Sequence, residues 1–274
     1  MSDRPTGRRP PLIEVAGVSK IYPSSGGPVH AVEGVSLEIG DGEFVSVVGP
    51  SGCGKSTFLL IIAGLIPASS GEVRIGGRVV SRPQTEIGIV FQNPVLLDWR
   101  TVLGNVLLQV EARSLDLAAF RPKAQGLLQS VGLEGFEDKY PFELSGGMRQ
   151  RTAICRALIH DPPLLLMDEP FGALDALTRE QMRLDIERLW MQTRKTVLFI
   201  THSISEAILL SDRVVVMSPR PGTIERIVQI DLPRPRGLER GALPAFAKAL
   251  DTITEIFLAR GVLRSRPSPI PLSV

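Results

Sequence analysis

Residues 49–56, Gly49-Pro50-Ser51-Gly52-Cys53-Gly54-Lys55-Ser56, decide the fold of this chain. They fit the pattern G-x-x-x-x-G-K-[ST] and stand between an apolar run, Phe44 to Val48, and an apolar helical stretch, Thr57 to Gly64. Glycines let successive N–H groups point into the loop, and the helix start adds partial positive charge. We expect Lys55 to reach the β- and γ-phosphates of a nucleoside triphosphate and Ser56 to ligate Mg²⁺.

Downstream of this loop, three short apolar runs predict buried parallel strands: Leu164 to Met167, Val197 to Ile200 and Val214 to Met217. Helical stretches at 177–193 and 205–211 separate them, as βαβ units require. The core is therefore predicted to be α/β.

The flanking regions have other patterns. The runs Ile13 to Val18, Val35 to Ile39 and Glu72 to Ile75, separated by Gly-rich turns, predict a β-rich start. Residues 101–160 have a helical pattern, and Pro244 to Ala259 predicts one more helix, whose apolar residues we expect to pack on the core.

Composition excludes several classes of protein. The chain has 274 residues, 43% of them hydrophobic, with a net charge of +2, which is ordinary for a globular protein and gives no indication of nucleic-acid binding. Its two cysteines are too few for a disulfide scaffold, which favours a reducing cytosol. We find neither an apolar run of bilayer length nor a secretory signal.

Two further strand ends carry candidate catalytic groups. Asp168 and Glu169 follow the run Leu164 to Met167, at the edge of the sheet where ligands of open α/β folds bind. Asp168 suits Mg²⁺ coordination, and Glu169 suits the role of general base for the attacking water. His202 follows the next run and can sense the γ-phosphate, although a lone histidine is usually structural.

The start of a helix is predicted by the stretch Leu144-Ser145-Gly146-Gly147-Met148-Arg149-Gln150-Arg151. Ser145 is a good N-cap, the two glycines leave backbone N–H groups uncovered, and the following helix adds its dipole. A second anion site is therefore expected here. A capped amphipathic helix without ligand is the alternative, and it leaves the Ser-Gly-Gly sequence unexplained.

This stretch also resembles the signature motif of ATP-binding cassette (ABC) proteins. Gln92 resembles the Q-loop of that family, Ala173-Leu174-Asp175 its D-loop, His202 its switch histidine, and Tyr22 the aromatic residue that stacks on adenine. The resemblance spans residues 13–218. It implies a P-loop NTPase (RecA-like) core with an N-terminal antiparallel β subdomain and an α-helical signature subdomain.

The resemblance also implies boundaries and site residues. The ABC ATPase domain would span 12–230 with a helical subdomain at about 93–160, after a flexible leader at 1–11 and before an extension at 231–274 that contains one helix and a Pro/Arg-rich tail. Catalytic residues would be Glu169, His202 and Gln92, and the metal ligands Ser56, Gln92 and Asp168. The residues expected to bind ATP are Tyr22, Gly49, Pro50, Ser51, Gly52, Cys53, Gly54, Lys55, Ser56, Thr57, Ser145, Gly146, Gly147 and Asp175.

In the family, two cassettes form a head-to-tail dimer, so that the phosphate loop of one copy and the signature of the other enclose one ATP. By that likeness Ser145 and Gly147 act in trans, Asp175 lines the interface of a homodimer, and Gln92 couples Mg²⁺ and water to the helical subdomain.

The branch of the family is indicated by Leu97 to Val102, Glu169 to Arg179, and above all Met217-Ser218-Pro219-Arg220-Pro221-Gly222. These look like the ATPase subunits of nitrate, sulfonate and taurine importers, which implies a membrane permease, an extracytoplasmic solute-binding protein that acts indirectly, no nucleic acid, and a place at the cytoplasmic face of the inner membrane. Importers of bicarbonate, thiamine pyrimidine precursors or aromatic acids share these motifs. A soluble ABC ATPase of a non-transport machine is a second alternative; the signature and His202 argue against a nucleotide kinase or GTPase.

Overall fold

The computed structural model describes residues 10–239 and 243–263. The predicted leader at 1–11, except Pro10 and Pro11, and the Pro/Arg-rich tail from residue 264 onward lie outside the described residues. Within the described part, no helix is both long and apolar enough to cross a bilayer.

The larger sheet has six strands, and its inner strands are parallel, as predicted. Its order is β10-β9-β3-β8-β7-β6. The strands are β3 (Phe44–Val48), β6 (Gly88–Val90), β7 (Leu164–Asp168), β8 (Thr196–Ile200), β9 (Arg213–Met217) and β10 (Ile224–Gln229). Every residue of β3 and β8 is buried, because helices cover both faces of a parallel sheet. β10 was not predicted; it pairs antiparallel with β9 at the edge.

The smaller sheet is antiparallel, in the order β2-β1-β4-β5. It contains β1 (Ile13–Tyr22), β2 (Val29–Ile39), β4 (Ser70–Ile75) and β5 (Arg78–Val79), and Ile13 is paired with both Ile39 and Ile75. Helix α1 (Lys55–Ile62) shares one hydrophobic core with this sheet and with strands of the larger one. The expected P-loop core with an N-terminal antiparallel β subdomain is confirmed.

Three helices after β6 form a separate hydrophobic cluster: α2 (Val102–Ala112), α3 (Leu117–Ser130) and α4 (Gly146–Leu158). Val106, Leu128, Leu133 and Cys155 are buried together in it. This cluster lies within the predicted helical subdomain, whose limits at about 93–160 stay a prediction.

The remaining helices are α5 (Ala176–Thr193), α6 (Ile204–Leu210) and α7 (Pro244–Ala259). The bounds of α7 match the predicted ones, and Phe246, Ile253 and Phe257 pack against α6 and β9. The segment before α7 is fixed by Arg236, whose side chain is 1% exposed and donates to the Ile208, Ser211 and Leu232 carbonyls. The predicted extension is thus partly attached to the core through a buried arginine.

Candidate nucleotide site

The phosphate loop leads from β3 into α1, and its glycines have conformations that other residues rarely adopt. Gly52 and Gly54 have φ angles of +75° and +102°. A Cβ atom at Gly54 would also lie 2.4 Å from the Ala31 carbonyl oxygen of β2. The loop can therefore take this shape only with glycine at position 54.

Helix α1 begins without a side-chain cap. Its N-cap is Gly54, and its first turn contains no acidic residue. By contrast, α2, α3, α4, α5 and α6 each begin with a side-chain oxygen that accepts a backbone N–H. The free N–H groups and the positive end of the helix dipole at α1 together suit an anion such as phosphate.

Lys55 is the first residue of α1 and is 4% exposed. Its ammonium donates to the Gly49 and Pro50 carbonyls at 2.8 and 3.0 Å, so the charge is held over the loop. The neighbouring Cys53 is also buried, and burial raises the pKa of its thiol. Cys53 therefore fills space in the loop and is disfavoured as a thiolate nucleophile.

Ser56 and Asp168 meet across the end of the sheet. The Ser56 hydroxyl donates to Asp168 Oδ1 at 3.0 Å. Burial, and next the neighbouring Glu169, raise the pKa of Asp168, while Ser56 and Lys55 act in the opposite direction. A hydroxyl and a carboxylate are the hard oxygen ligands that Mg²⁺ prefers, so these residues fit a magnesium ion.

Glu169 and His202 also face each other, with His202 Nδ1 3.3 Å from Glu169 Oε2. Glu169 has a φ angle of +44°, unusual for a residue with a side chain, and its N–H is fixed by the Ile200 carbonyl at 2.9 Å. Such conformations concentrate at functional sites. Gln92 lies beside the same segment, since a Cβ atom at Gly172 would be 3.0 Å from its Nε2 atom.

A cavity opens over the phosphate loop. Its lining residues are Tyr22, Val29, Ala31, Ser51, Gly52, Gly54, Lys55, Ser56, Thr57, Glu169 and Arg220. Most of these residues are among those predicted from the sequence, including Tyr22, which is 38% exposed at the end of β1. Val29, Ala31 and Arg220 were not predicted. Arg220 belongs to the stretch Met217 to Gly222, whose pattern indicates a branch of the family and gives no sign of contact with the phosphate loop.

The signature residues do not line this cavity. Ser145 caps α4 by accepting the Met148 N–H at 3.3 Å, and a Cβ atom at Gly147 would lie 2.5 Å from Thr178 Cγ2. Asp175 caps α5 by accepting the Thr178 N–H at 3.0 Å, and hydrogen bonds from Thr178 lower the pKa of its carboxyl. The signature and the D-loop therefore adjoin each other at Thr178.

Among residues 10–239 and 243–263, no group of three or more His, Cys, Asp or Glu side chains could hold a metal ion. His160 lies away from the phosphate loop, in a groove beside α2, where burial lowers its pKa to about 4.

Fold and site together define a P-loop nucleotide-binding cassette. Residues 32–172 match the ABC transporter family. The chain is 48% identical over 224 residues to the uncharacterized ABC transporter ATP-binding protein MJ0412 of Methanocaldococcus jannaschii, covering 82% of this chain and 84% of the relative. It belongs to the ABC transporter family, and it is an ABC ATPase.

Other relatives have more specific names. The taurine import ATP-binding protein TauB of Rhizobium johnstonii is 46% identical, with 88% of this chain and 94% of the relative covered. The aliphatic sulfonates import ATP-binding protein SsuB of Bacillus cereus is 44% identical, with 82% and 88% covered. A solved structure of the ATP-binding cassette MJ0796, a dimer in a post-hydrolysis state bound to ADP and Pi, has a TM-score of 0.72 and 34% identity, covering 81% of this chain and all of that one.

Proposed function

We propose that this chain is the ATP-hydrolysing subunit of an importer for a small anionic solute, such as an aliphatic sulfonate, taurine or nitrate. The observation that carries the proposal is the meeting of Lys55, Ser56, Asp168, Glu169 and His202 at one edge of the parallel sheet. The names of the taurine and sulfonate relatives support the solute class.

ATP is bound by the loop, with the β- and γ-phosphates against the start of α1 and the Lys55 ammonium. Ser56 and Asp168, with Gln92, would hold Mg²⁺, which would neutralise charge on the phosphate oxygens. Tyr22 stacks on adenine at the rim of the cavity. All of these contacts come from one copy of the chain.

Hydrolysis uses Glu169 as the general base. Glu169 accepts a proton from the attacking water while the bond between the γ-phosphorus and its bridging oxygen breaks, and the products are ADP and phosphate. His202, 3.3 Å from the Glu169 carboxylate, orients this group and contacts the γ-phosphate. The positive φ angle of Glu169 turns its side chain toward the cavity that it lines.

A second copy completes the site. Ser145, Gly146 and Gly147 lie at the start of α4, outside the cavity of their own chain, and in a head-to-tail dimer they contact the ATP of the other copy while Asp175 lines the interface. ATP then contacts both copies in the closed dimer and one copy in the open form. This difference in binding is the source of energy for closure.

The permease contacts the region of Asn93 to Val106. Trp99 and Val95 are 75% and 61% exposed there, and Val95 lines a groove between β6 and α2 together with Phe91 and Leu108. Large apolar side chains exposed beside a groove are typical of a docking surface. The chain is then peripheral, at the cytoplasmic face of the inner membrane, and the extracytoplasmic solute-binding protein acts through the permease.

The variant Glu169→Gln tests the chemistry. We expect ATP binding to persist, ATP-dependent dimers to accumulate, and hydrolysis to fall about 10²–10⁴-fold, the usual contribution of a general base. Phosphate release, nucleotide binding and size-exclusion chromatography measure these three properties. Steady hydrolysis at the wild-type rate would remove Glu169 from the role of base.

Co-purification tests the transport role. The tagged chain is isolated from detergent-solubilised membranes of its host, with the Lys55→Ala variant processed in parallel to show which partners depend on ATP binding. A polytopic membrane protein at about equal stoichiometry supports the importer. Recovery from the soluble fraction alone would leave the ATPase assignment standing and favour a soluble non-transport machine.

A further inference from the structure

The turn that joins β9 to β10 is closed by its own side chains. Ser218 Oγ donates to the Pro221 carbonyl and accepts the Thr223 N–H, both at 2.9 Å. The Ser218 N–H donates to the Thr223 carbonyl at 3.0 Å. Residues 218–223 therefore form a fixed turn, which we call the 218–223 turn.

This turn is packed against both β2 and the phosphate loop. The Gly222 N–H donates to the Ala31 carbonyl and its carbonyl accepts the Glu33 N–H, both at 3.0 Å. A Cβ atom at Gly222 would lie 2.0 Å from the Cys53 carbonyl oxygen, so no larger residue allows this approach. Gly222, the last residue of the stretch Met217 to Gly222, is thus required by its close contact with the phosphate loop.

Arg220 lies at the tip of the turn and lines the same cavity as Lys55. Its Nε and Nη2 atoms donate to the Gly52 carbonyl at 3.1 and 3.0 Å. In a trans peptide the carbonyl and the next N–H point in opposite directions, so this contact also fixes the direction of the Cys53 N–H. That N–H makes only a long 3.3 Å bond to the Pro50 carbonyl.

The chemistry of arginine suits this position. One guanidinium can donate two parallel N–H groups to a single carbonyl oxygen and still present three others, whereas the lysine ammonium has no such planar fork. Within the described residues, Arg220 Nη1 donates no hydrogen bond, so it remains available to a ligand in the cavity that Arg220 lines.

We propose that Arg220 is a further determinant of nucleotide affinity, which fixes the Gly52–Cys53 peptide and places a second cation, after Lys55, beside the polyphosphate. The inference rests on the proposed ATP site and extends it. It assigns Arg220 to the phosphates and gives it no role in recognising the base. It also gives the 218–223 turn a function in the nucleotide site.

The test compares Arg220→Met with Arg226→Met. Arg226 is exposed on β10 and lies outside the cavity, so the two variants lose the same charge from neighbouring positions. Dissociation constants are measured for MgATP directly and for inorganic tripolyphosphate by competition. We expect about a tenfold loss for both ligands in Arg220→Met, partial recovery in Arg220→Lys, and wild-type values in Arg226→Met.

Two further readouts separate this role from a general loss of structure. The melting temperature without nucleotide should stay within about 2 °C of wild type, and kcat at saturating MgATP should persist while KM rises. Equal ATP affinity in Arg220→Met and Arg226→Met would overturn the inference. So would a loss for ATP without a loss for tripolyphosphate, since Arg220 would then act on the nucleoside. Failure of the wild-type chain to bind MgATP would instead overturn the proposed function.

Discussion

Helices α1 and α4 both begin in glycine-rich stretches, yet their starts are built differently. At α1, Gly54 provides no side-chain cap, and the buried ammonium of Lys55 lies over the loop. At α4, Ser145 supplies its own cap, and Gly147 is in close contact with Thr178. The uncapped N–H groups at the start of α1 need a ligand to accept their hydrogen bonds, whereas the start of α4 is already capped by its own side chain.

This difference separates two kinds of anion site. The start of α1 can bind phosphate with residues of one chain, because a cation, metal ligands and free N–H groups surround it. The cation in the first turn of α4, Arg149, donates to the Leu144 carbonyl, and Asp175 adjoins this start, so we expect its contribution to depend on a phosphate held by another copy. The comparison predicts that damage at α1 abolishes binding, whereas damage at α4 affects later steps.

The largest effect is expected from Lys55→Ala. Removal of a buried charge that contacts phosphate should lower the affinity for MgATP by a factor of roughly 100 or more. Titration of the isolated chain with MgATP at a concentration that keeps it monomeric measures this loss.

Ser145→Ala is the control for that experiment at the other helix. It should leave monomeric ATP affinity within about twofold of wild type and reduce hydrolysis and ATP-dependent dimer formation. Equal damage to monomeric binding by both variants would contradict the division between the two helix starts.

Gly147→Ala should be the next largest perturbation. Its Cβ atom would lie 2.5 Å from Thr178 Cγ2, so the Thr178 side chain or its surroundings must shift, at a cost of roughly 1–3 kcal/mol in the free energy of unfolding. Denaturant unfolding measures the change. Thr178→Ser removes the methyl group in question, and the double variant should recover most of the loss.

The adjacent glycine is a matched control for this contact. A Cβ atom at Gly146 meets only Leu174 Cδ2, at an ordinary 3.9 Å, so Gly146→Ala should be neutral or slightly stabilising. A loss in Gly146→Ala as large as that in Gly147→Ala would mean that the glycines serve the helix start generally and that the contact with Thr178 is unimportant.

The cap itself should contribute less. Loss of the Ser145 side chain removes the acceptor for the Met148 N–H, which typically costs about 1 kcal/mol. Thermal and denaturant unfolding of Ser145→Ala measure the change, and Ser145→Asp, which keeps an acceptor, should recover the stability. Recovery of stability without recovery of hydrolysis would show that the hydroxyl has a role beyond the cap.

The sequence predicted most of this arrangement, because its strongest signals are local. β3 and α7 have their predicted bounds, since an apolar run before a glycine and a helical apolar spacing need no distant partner to be read. The contacts of Arg220 with Gly52 and of Gly147 with Thr178 join residues that are far apart in the sequence or on different helices, so no pattern shows them. β10 was missed because its edge position leaves much of it exposed.

The smallest predicted effect concerns two carboxylates, Asp168 beside the start of α1 and Asp175 beside the start of α4. Their contributions to the stability of the protein should depend on pH with opposite signs. Burial raises the pKa of Asp168, so the native state holds this proton more tightly than the unfolded chain, and stability falls as pH rises from 3.8 through the native pKa. Hydrogen bonds from Thr178 lower the pKa of Asp175, so its contribution is present above 3.8 and is lost as pH falls through the native pKa.

Asp168→Asn should therefore raise the melting temperature of the nucleotide-free protein near pH 7, by about 2–4 °C for each kcal/mol gained, and the gain should shrink as pH falls through the native pKa toward 3.8. The same variant should lose the stabilisation that MgATP gives the wild type, because the carboxylate needed for Mg²⁺ is gone. Asp175→Asn, which keeps a capping oxygen, should instead lower the melting temperature slightly near pH 7. Thermal scans from about pH 3 to 8 without MgATP, and near pH 7 with it, measure both. A decrease for Asp168→Asn in the absence of nucleotide would mean that its charge is already compensated by Lys55 and Ser56, and the start of α1 would then be complete without a ligand, as the start of α4 is.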